Sequence, residues 1–358
     1  MRYPCRRTNA GTILILALWT LGFLSVFAVY LGIFVRQKMA LLSRLEKRSA
    51  VQQTAEAGVR RAKAVFDSSH AVGGVAVTGI QKQQWFNNLE HFRHISLGRG
   101  YFDVCHQIYD LSGQSLSTLY GFSDEERRLN VNTADRFILA RLIETVTGLP
   151  SKQARDLARA IVSWREYGET DIVGFYSDAF YENLEFPYPP KKKDFELLDE
   201  LLLVKGMNPK IYRELIDFLT VYGSGKVNIN TASAPVLTAL GLAPETVSKI
   251  LTARRGPDQI ESTWDDYMFL SRGDRGGIVA DKRLGLKADE LAMIEQLFAR
   301  ELLGVASDFF RVYSRGQLEN SQESMMITCV FEGQSGRIFY WREKREQKPT
   351  AAVFDAPA

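Results

Sequence analysis

Charge is what this chain lacks most conspicuously near its start. Thr12 to Val35 is a run of 24 residues without a single Lys, Arg, Asp or Glu, and no acid stands at its beginning. Cysteine is also scarce. Cys5, Cys105 and Cys329 are the only three, none in CxxC spacing, which excludes a zinc ribbon or a thioredoxin-type motif. No Walker loop, GxSxG elbow or HExxH helix occurs, so the motifs of nucleotide hydrolysis, serine hydrolysis and zinc proteolysis are all missing. The four histidines, His70, His91, His94 and His106, precede the helical part of the chain. His91 and His94 are spaced to share a helix face, but no carboxylate and cysteine cluster completes a metal site, and a solvated pair is expected. The adjacent Asp265 and Asp266 read as a helix-start signal. Nothing here points to an enzyme.

The uncharged run is long enough to cross a membrane. As a helix its residues span about 36 Å, against about 30 Å of hydrocarbon. A cleaved signal peptide has a shorter apolar core and a small-x-small exit, and neither is present before Arg36. A retained helix is therefore expected. Arg2, Arg6 and Arg7 precede it, and residues 36–66 carry eight basic and two acidic residues, so both flanks are positive. The short leader is read as the cytoplasmic end, because the other flank continues into a large domain. From Asp67 onward 34 basic residues meet 40 acidic ones, a balance that argues against a broad nucleic-acid face.

Beyond Arg36 the helical pattern continues. Leu41, Leu45, Val51, Ala55, Val59, Ala62 and Phe66 keep an apolar stripe on one face, and the stretch holds no proline. One helix from about residue 12 to 67 is the simplest reading, with a break near Arg36 as the alternative. After Gly73-Gly74, the segment GRGYFDVCHQIYDLSGQSLSTLYGFS alternates as a hairpin does, and a matching β-rich stretch returns only in DFFRVYSRGQL, SMMITCVFEG and GRIFYWRE. Between them, from about Leu129 to Leu303, the pattern is helical. One sheet split by a helical insertion is expected, with two separate sheets as the alternative. In the split arrangement Cys105 and Cys329 lie in the two β segments and are candidates for a disulfide.

The helical block repeats itself. LNVNTADRFILARL at 129–142 matches VNINTASAPVLTAL at 227–240 with identities at Asn130/Asn228, Asn132/Asn230, Thr133/Thr231, Ala134/Ala232, Leu139/Leu237 and Leu142/Leu240. Thr or the polar residue after it suits an N-cap, and Pro235 suits a first turn. A tight turn and a second helix follow each start, as in a helix-hairpin-helix unit, with ELLLVKGMNPKIYRELIDFL as a weaker third copy. Such hairpins grip phosphates through glycine-rich turns. Here the turns are Gly148-Leu149-Pro150 and Gly241-Leu242-Ala243, each lacking the second glycine, so packing is the expected role.

The order of these features resembles the K-type minor pseudopilins of type II secretion, the general secretion pathway protein K family. The resemblance runs from the basic leader ending in Gly11 through TAEAGVRRAKAVF, the NVNTA and NINTA pair, FPYPPKKKDFELLDELLLVKGM and SDFFRVYSRG to FYWRE. It implies an α+β pseudopilin fold: a long N-terminal helix, and a small antiparallel sheet split by a large inserted α-domain. The implied parts are a class III leader (1–11), a membrane helix (12–35) and its periplasmic continuation (36–68). Then come the first part of the sheet domain (69–127), the inserted helical domain (128–304), the second part (305–344) and a flexible tail (345–358).

The resemblance also implies cleavage by a prepilin peptidase between Gly11 and Thr12, with Thr12 N-methylated. Leu16 then occupies the fifth mature position, where most pilin-like subunits carry a glutamate. The implied partners are the I-type and J-type minor pseudopilins, the major pseudopilin, the peptidase and the inner-membrane assembly platform. The implied place is the inner membrane, with the large domain periplasmic. The family's acidic W-x-D-x-D stretch, associated with calcium, reads here as Trp164-Arg165-Glu166-Tyr167-Gly168, so the second carboxylate is gone; Glu169 and Asp171 are candidate substitutes, and calcium is not asserted. The expected role is at the tip of a periplasmic pseudopilus, starting its assembly. The rival readings are a membrane-anchored DNA receptor built on the hairpins and a minor pilin of a type IV pilus.

Overall fold

In the computed structural model the residues described are 10–71, 85–109, 116–165, 178–259, 266–270, 284–319 and 321–347. The leader before Ala10, the tail after Gln347, the Ser112-Gly113 turn, Asp265, and Glu166 to Asp171 lie outside them. Helix α1 runs unbroken from Ala10 to Ala71, 62 residues with no proline, so the chain does not break at Arg36. At 1.5 Å per residue it is about 93 Å long.

Seven antiparallel strands form the main sheet. β1 (Ile95–Leu97) and β2 (Gly100–Tyr109) precede the helical block, as do β3 (Leu116–Tyr120) and β4 (Ser123–Asp124). β9 (Phe309–Leu318), β10 (Glu323–Glu332) and β11 (Ile338–Gln347) follow it. The order is β1-β2-β9-β10-β11, with β3 on β2 and β4 on β9, so early and late segments of the chain share one sheet. The short helix α2 (Leu89–Phe92) abuts β1.

Between β4 and β9 lie helices and two small parallel strand pairs. β5 (Leu129–Asn130) pairs with β6 (Leu219–Thr220), and β7 (Val227–Asn228) with β8 (Leu303–Gly304). The helices are α3 (Arg136–Thr147), α4 (Ser151–Arg165), α5 (Asp178–Glu182), α6 (Pro209–Leu215), α7 (Ala234–Ala239), α8 (Pro244–Arg254) and α9 (Ala288–Ala299). Asp135 caps α3 by accepting from the amides of Phe137 and Ile138. Ser233 precedes α7 without a side-chain cap bond, and Pro235 falls in that helix's first turn. The weak third copy forms a 3-10 turn, Leu198–Leu203, and then α6, so its first half is not an α-helix. Four leucines in six residues give that turn no single apolar face to lay down.

Two cores result. One, built on Leu139, Leu142, Ile161, Trp164 and Leu237, fills the helical block. In the other, the lower half of α1 presents Val51, Ala55, Val59, Ala62 and Phe66 to one sheet face, where Val104, Val312, Ile327 and Phe331 receive it. Phe66 packs against Phe310 at 4.6 Å and Phe331 at 5.7 Å between ring centroids. The helix comes close because glycines face it: a Cβ at Gly316 on β9 would meet the backbone of Ala55 and Val51, and one at Gly58 would meet Ser314. The hydroxyl of Ser314 donates to the carbonyl of Ala55 at 2.7 Å.

The sheet also corrects the disulfide expectation. Both Cys105 and Cys329 are free thiols. Val104 pairs with Ser314, which pairs with Ile327, so these three share the face against α1. Cys329 lies on that face and is buried there, whereas Cys105, one residue from Val104, points to the other. With β9 between them the two strands stand about 9.5 Å apart, beyond the Cα separation a bridge spans.

Gly316→Ala should push α1 off the sheet, because the obstacle is helix backbone that no rotamer change relieves. The expected cost is about 1–3 kcal/mol, read as a lower melting temperature of the full chain in detergent. An unchanged melting temperature would contradict the close approach.

Candidate functional site

Residues 12–35 of α1 project from the folded body with their side chains exposed. Among the described residues this is the one helix long and apolar enough to cross a membrane. Gly11 and Thr12 lie in its first turn, and Leu16 is 67% exposed among residues of the same character. The first acid of the whole chain is Glu46, well past the apolar run, so this helix offers no carboxylate to a neighbour within the hydrocarbon.

The opposite situation holds where the chain leaves the sheet. Asp124, Glu125 and Glu126 are consecutive and all buried. Asp124 Oδ2 accepts from Thr231 Oγ1 at 2.5 Å, Ser307 Oγ at 2.7 Å and Asn228 Nδ2 at 2.8 Å, while its Oδ1 accepts from the amide of Glu126. Glu125 receives both arms of the Arg311 fork, at 2.6 and 2.7 Å, together with Arg128 Nη1 at 3.0 Å and Thr220 Oγ1 at 2.7 Å. Glu126 accepts from the amide and hydroxyl of Ser224 and from the amide of Asp308. Arg311 and Asp308 belong to the returning sheet; Thr220, Ser224, Asn228 and Thr231 belong to the helical block. Three adjacent carboxylates therefore bind the two bodies together.

Burial alone would raise all three carboxyls. For Glu125, the Arg311 and Arg128 guanidiniums overcome that penalty and hold it down at about 2. Asp124 and Glu126 have only neutral donors, and burial leaves both raised.

The NVNTA and NINTA segments perform the same local task twice. Asn132 donates to the carbonyl of Phe195 and accepts from its amide; Asn230 does both with Phe269. Asn130 and Asn228 each accept from the amide two residues on. Arg165 donates to the carbonyls of Val131 and Ala134, and Arg254 to those of Ile229 and Ala232, the matching positions. The asparagines are thus internal staples in both copies of the repeat. Arg165, which follows Trp164 at the first variable position of the resembled motif, takes part in that clasp.

The other candidates do not assemble into chemistry. Helix α2 ends at Phe92, so His94 lies past its cap and the His91–His94 pair shares no helix face. His91 meets Arg61 at 2.9 Å, and His94 lies against the Tyr101 ring. Among the described residues no cluster of three His, Cys, Asp or Glu is placed to hold a metal ion. The carboxylate junction is what the sequence reading missed. Its one signal was SDEERR, six polar residues in a row directly after an aromatic strand and directly before a repeat.

Glu125 supplies a pH test with a definite sign. It is ionised in the fold down to about pH 2 but protonates near pH 4.3 when unfolded, so its stabilisation is present above about pH 4.3 and is lost as pH falls from there towards 2. Asp124 and Glu126, displaced upward, work in the opposite sense. Glu125→Gln should cost about 3–5 kcal/mol at neutral pH by stranding Arg311, and should flatten the loss of stability between about pH 4 and 2. Chemical unfolding at a series of pH values reads both; an unchanged acid limb would contradict the assignment.

A sequence model of the family described as type II secretion system protein K matches residues 114–224, a segment that holds the carboxylate junction and the first repeat. Protein K of the type II secretion system from Dickeya chrysanthemi is 28% identical over 139 residues, which is 37% of this chain and 38% of that protein. The matched region thus spans well under half of that relative. A chain of the GspK-GspI-GspJ complex from the enterotoxigenic Escherichia coli type 2 secretion system shares the fold, with a TM-score of 0.59 at 15% identity over 86% of this chain and 100% of that one. Matched segment, curated relative and shared fold agree in what this chain is similar to: protein K of type II secretion systems, over part of its length, and a chain of the GspK-GspI-GspJ complex in fold.

Proposed function

We propose that this chain is a minor pseudopilin of a type II secretion system, seated at the tip of the periplasmic pseudopilus, where it starts assembly and so supports export across the outer membrane. The observation that carries the reading is the joining of an apolar, carboxylate-free stem to a bulky helical block held rigidly beside the stem's sheet. A subunit stacked above that bulk would collide with it, so the terminal place is the one that costs nothing sterically. A terminal subunit also has no neighbour above whose N-terminal amine needs a carboxylate, which accounts for Leu16.

In this reading residues 1–11 are a leader removed by a prepilin peptidase, and Thr12 becomes the methylated first residue of a helix spanning the inner membrane over 12–35. Residues 36–68 continue it into the periplasm, and 128–304 form the helical domain inserted between the sheet segments 69–127 and 305–344. The Asn-stapled segments are the starts of two helix-hairpin-helix-like units. The partners are other minor pseudopilins of the I and J types, the major pseudopilin and the inner-membrane platform. The role is structural and needs no catalysis.

Site-specific crosslinking in assembled pseudopili tests the place. A photoreactive residue on the helical block should yield adducts at one filament end only, and adducts along the whole filament would contradict the tip. Intact mass of the membrane form should correspond to a chain beginning at N-methylated Thr12; retention of residues 1–11 would contradict the processing.

A further inference from the structure

Arg36, Lys38, Arg44, Lys47 and Arg48 crowd into the stretch of α1 directly after the uncharged run, with Glu46 as the one acid among them. This stretch is exposed throughout, because the body first buries a residue of the helix at Val51. Among the described residues none of the five basic side chains makes an ion pair. Lys38 lies over the Phe34 ring at 5.4 Å, leaning back towards the apolar run. At about 100° per residue, Arg36, Arg44, Lys47 and Arg48 fall within about 120° of one another around the axis. Leu42, Leu45 and Glu46 lie outside that arc.

Exposed basic side chains are ordinarily solvated, so their place decides what they meet. Rising about 1.5 Å per residue, Arg36 and Lys38 leave the apolar run within about 5 Å of its end, inside a headgroup layer about 5–7 Å deep. The run is about 36 Å long against about 30 Å of hydrocarbon, and a run too long for its bilayer tilts. Tilt towards the basic face lowers Arg44, Lys47 and Arg48 onto the same surface, whereas tilt the other way turns Glu46 to it. Anionic headgroups are the counter-charge that a basic cluster just outside a spanning helix attracts. From Asp67 onward the chain carries more acid than base, so that surface holds the stem and repels the body. We propose that the basic face of residues 36–48 binds anionic phospholipid headgroups and so sets the direction in which α1 tilts. The inference rests on α1 spanning a bilayer, and not on the place of the chain in a filament.

The test uses the full chain in phosphatidylcholine vesicles that contain a trace of spin-labelled phosphatidylglycerol or of spin-labelled phosphatidylcholine. The immobilised fraction of each label measures its preference for the protein. Phosphatidylglycerol should be preferred by about fivefold or more, the equivalent of one or more basic residues at the surface. Raising NaCl to about 0.5 M should remove most of that preference. Combining Arg36→Gln, Lys38→Gln, Arg44→Gln, Lys47→Gln and Arg48→Gln should lower it by about fivefold or more. All five lie on the exposed stem, so the melting temperature of the body should not change. Trp19, inside the apolar run, reports insertion separately, and bromine-labelled acyl chains should quench it equally in both forms. Quenching without a preference for phosphatidylglycerol, or a preference that survives the five substitutions, would overturn the headgroup site and leave the spanning helix standing. Absence of quenching would overturn both. Inorganic phosphate should compete no better than chloride at equal ionic strength; stronger competition would assign the face to a soluble anion and overturn the lipid.

Discussion

Everything above the stem depends on the carboxylates of Asp124, Glu125 and Glu126. They sit at the single point where the chain leaves the sheet, and they hold the point to which it returns, at Asp308 and Arg311. Buried acids are an expensive way to join two bodies, since an apolar patch of equal size involves no loss of hydration. What they supply is geometry. Each oxygen is matched to named donors on both bodies, so only one docking angle satisfies them together. An apolar interface would tolerate sliding, which would not suit the proposed terminal place in a filament.

The same economy of contact appears where α1 meets the sheet. Gly58 and Gly316 let α1 lie against β9 at backbone distance, and Ser314 adds a bond to a helix carbonyl. The stem is thereby continuous with the sheet, and the sheet with the helical block. Stem, sheet and block are thus joined by packed backbone and ion pairs. That is the mechanical property the proposed place in a filament calls for.

How much of this was legible in the sequence followed the range of the interactions involved. The membrane run and the amphipathic stripe after it are local periodicities, and α1 follows them with no break at Arg36. The Asn-Thr-Ala repeat was visible as identity, and its staples to Phe195 and Phe269 give those identities a physical cause. The junction was not visible, because six polar residues in a row look like a solvated turn until the donors around 220, 228, 308 and 311 are brought to them. The disulfide expectation failed over parity: two cysteines in one sheet were foreseen as neighbours, but the face each occupies depends on register. The possibility that His91 and His94 share a helix face ended at Phe92, where that helix stops.

The claim that the carboxylate junction makes sheet and helical block one cooperative body is tested most directly by native-state hydrogen exchange on the full chain in detergent. Amides of β9 and β10 and amides of α3 and α7 should open with the same free energy and respond together to denaturant. Replacing Asp124 by Ala should split that common opening into two, with the helical block opening first. If the two sets of amides already opened independently in the unaltered protein, the junction would not be the constraint on which the structure rests.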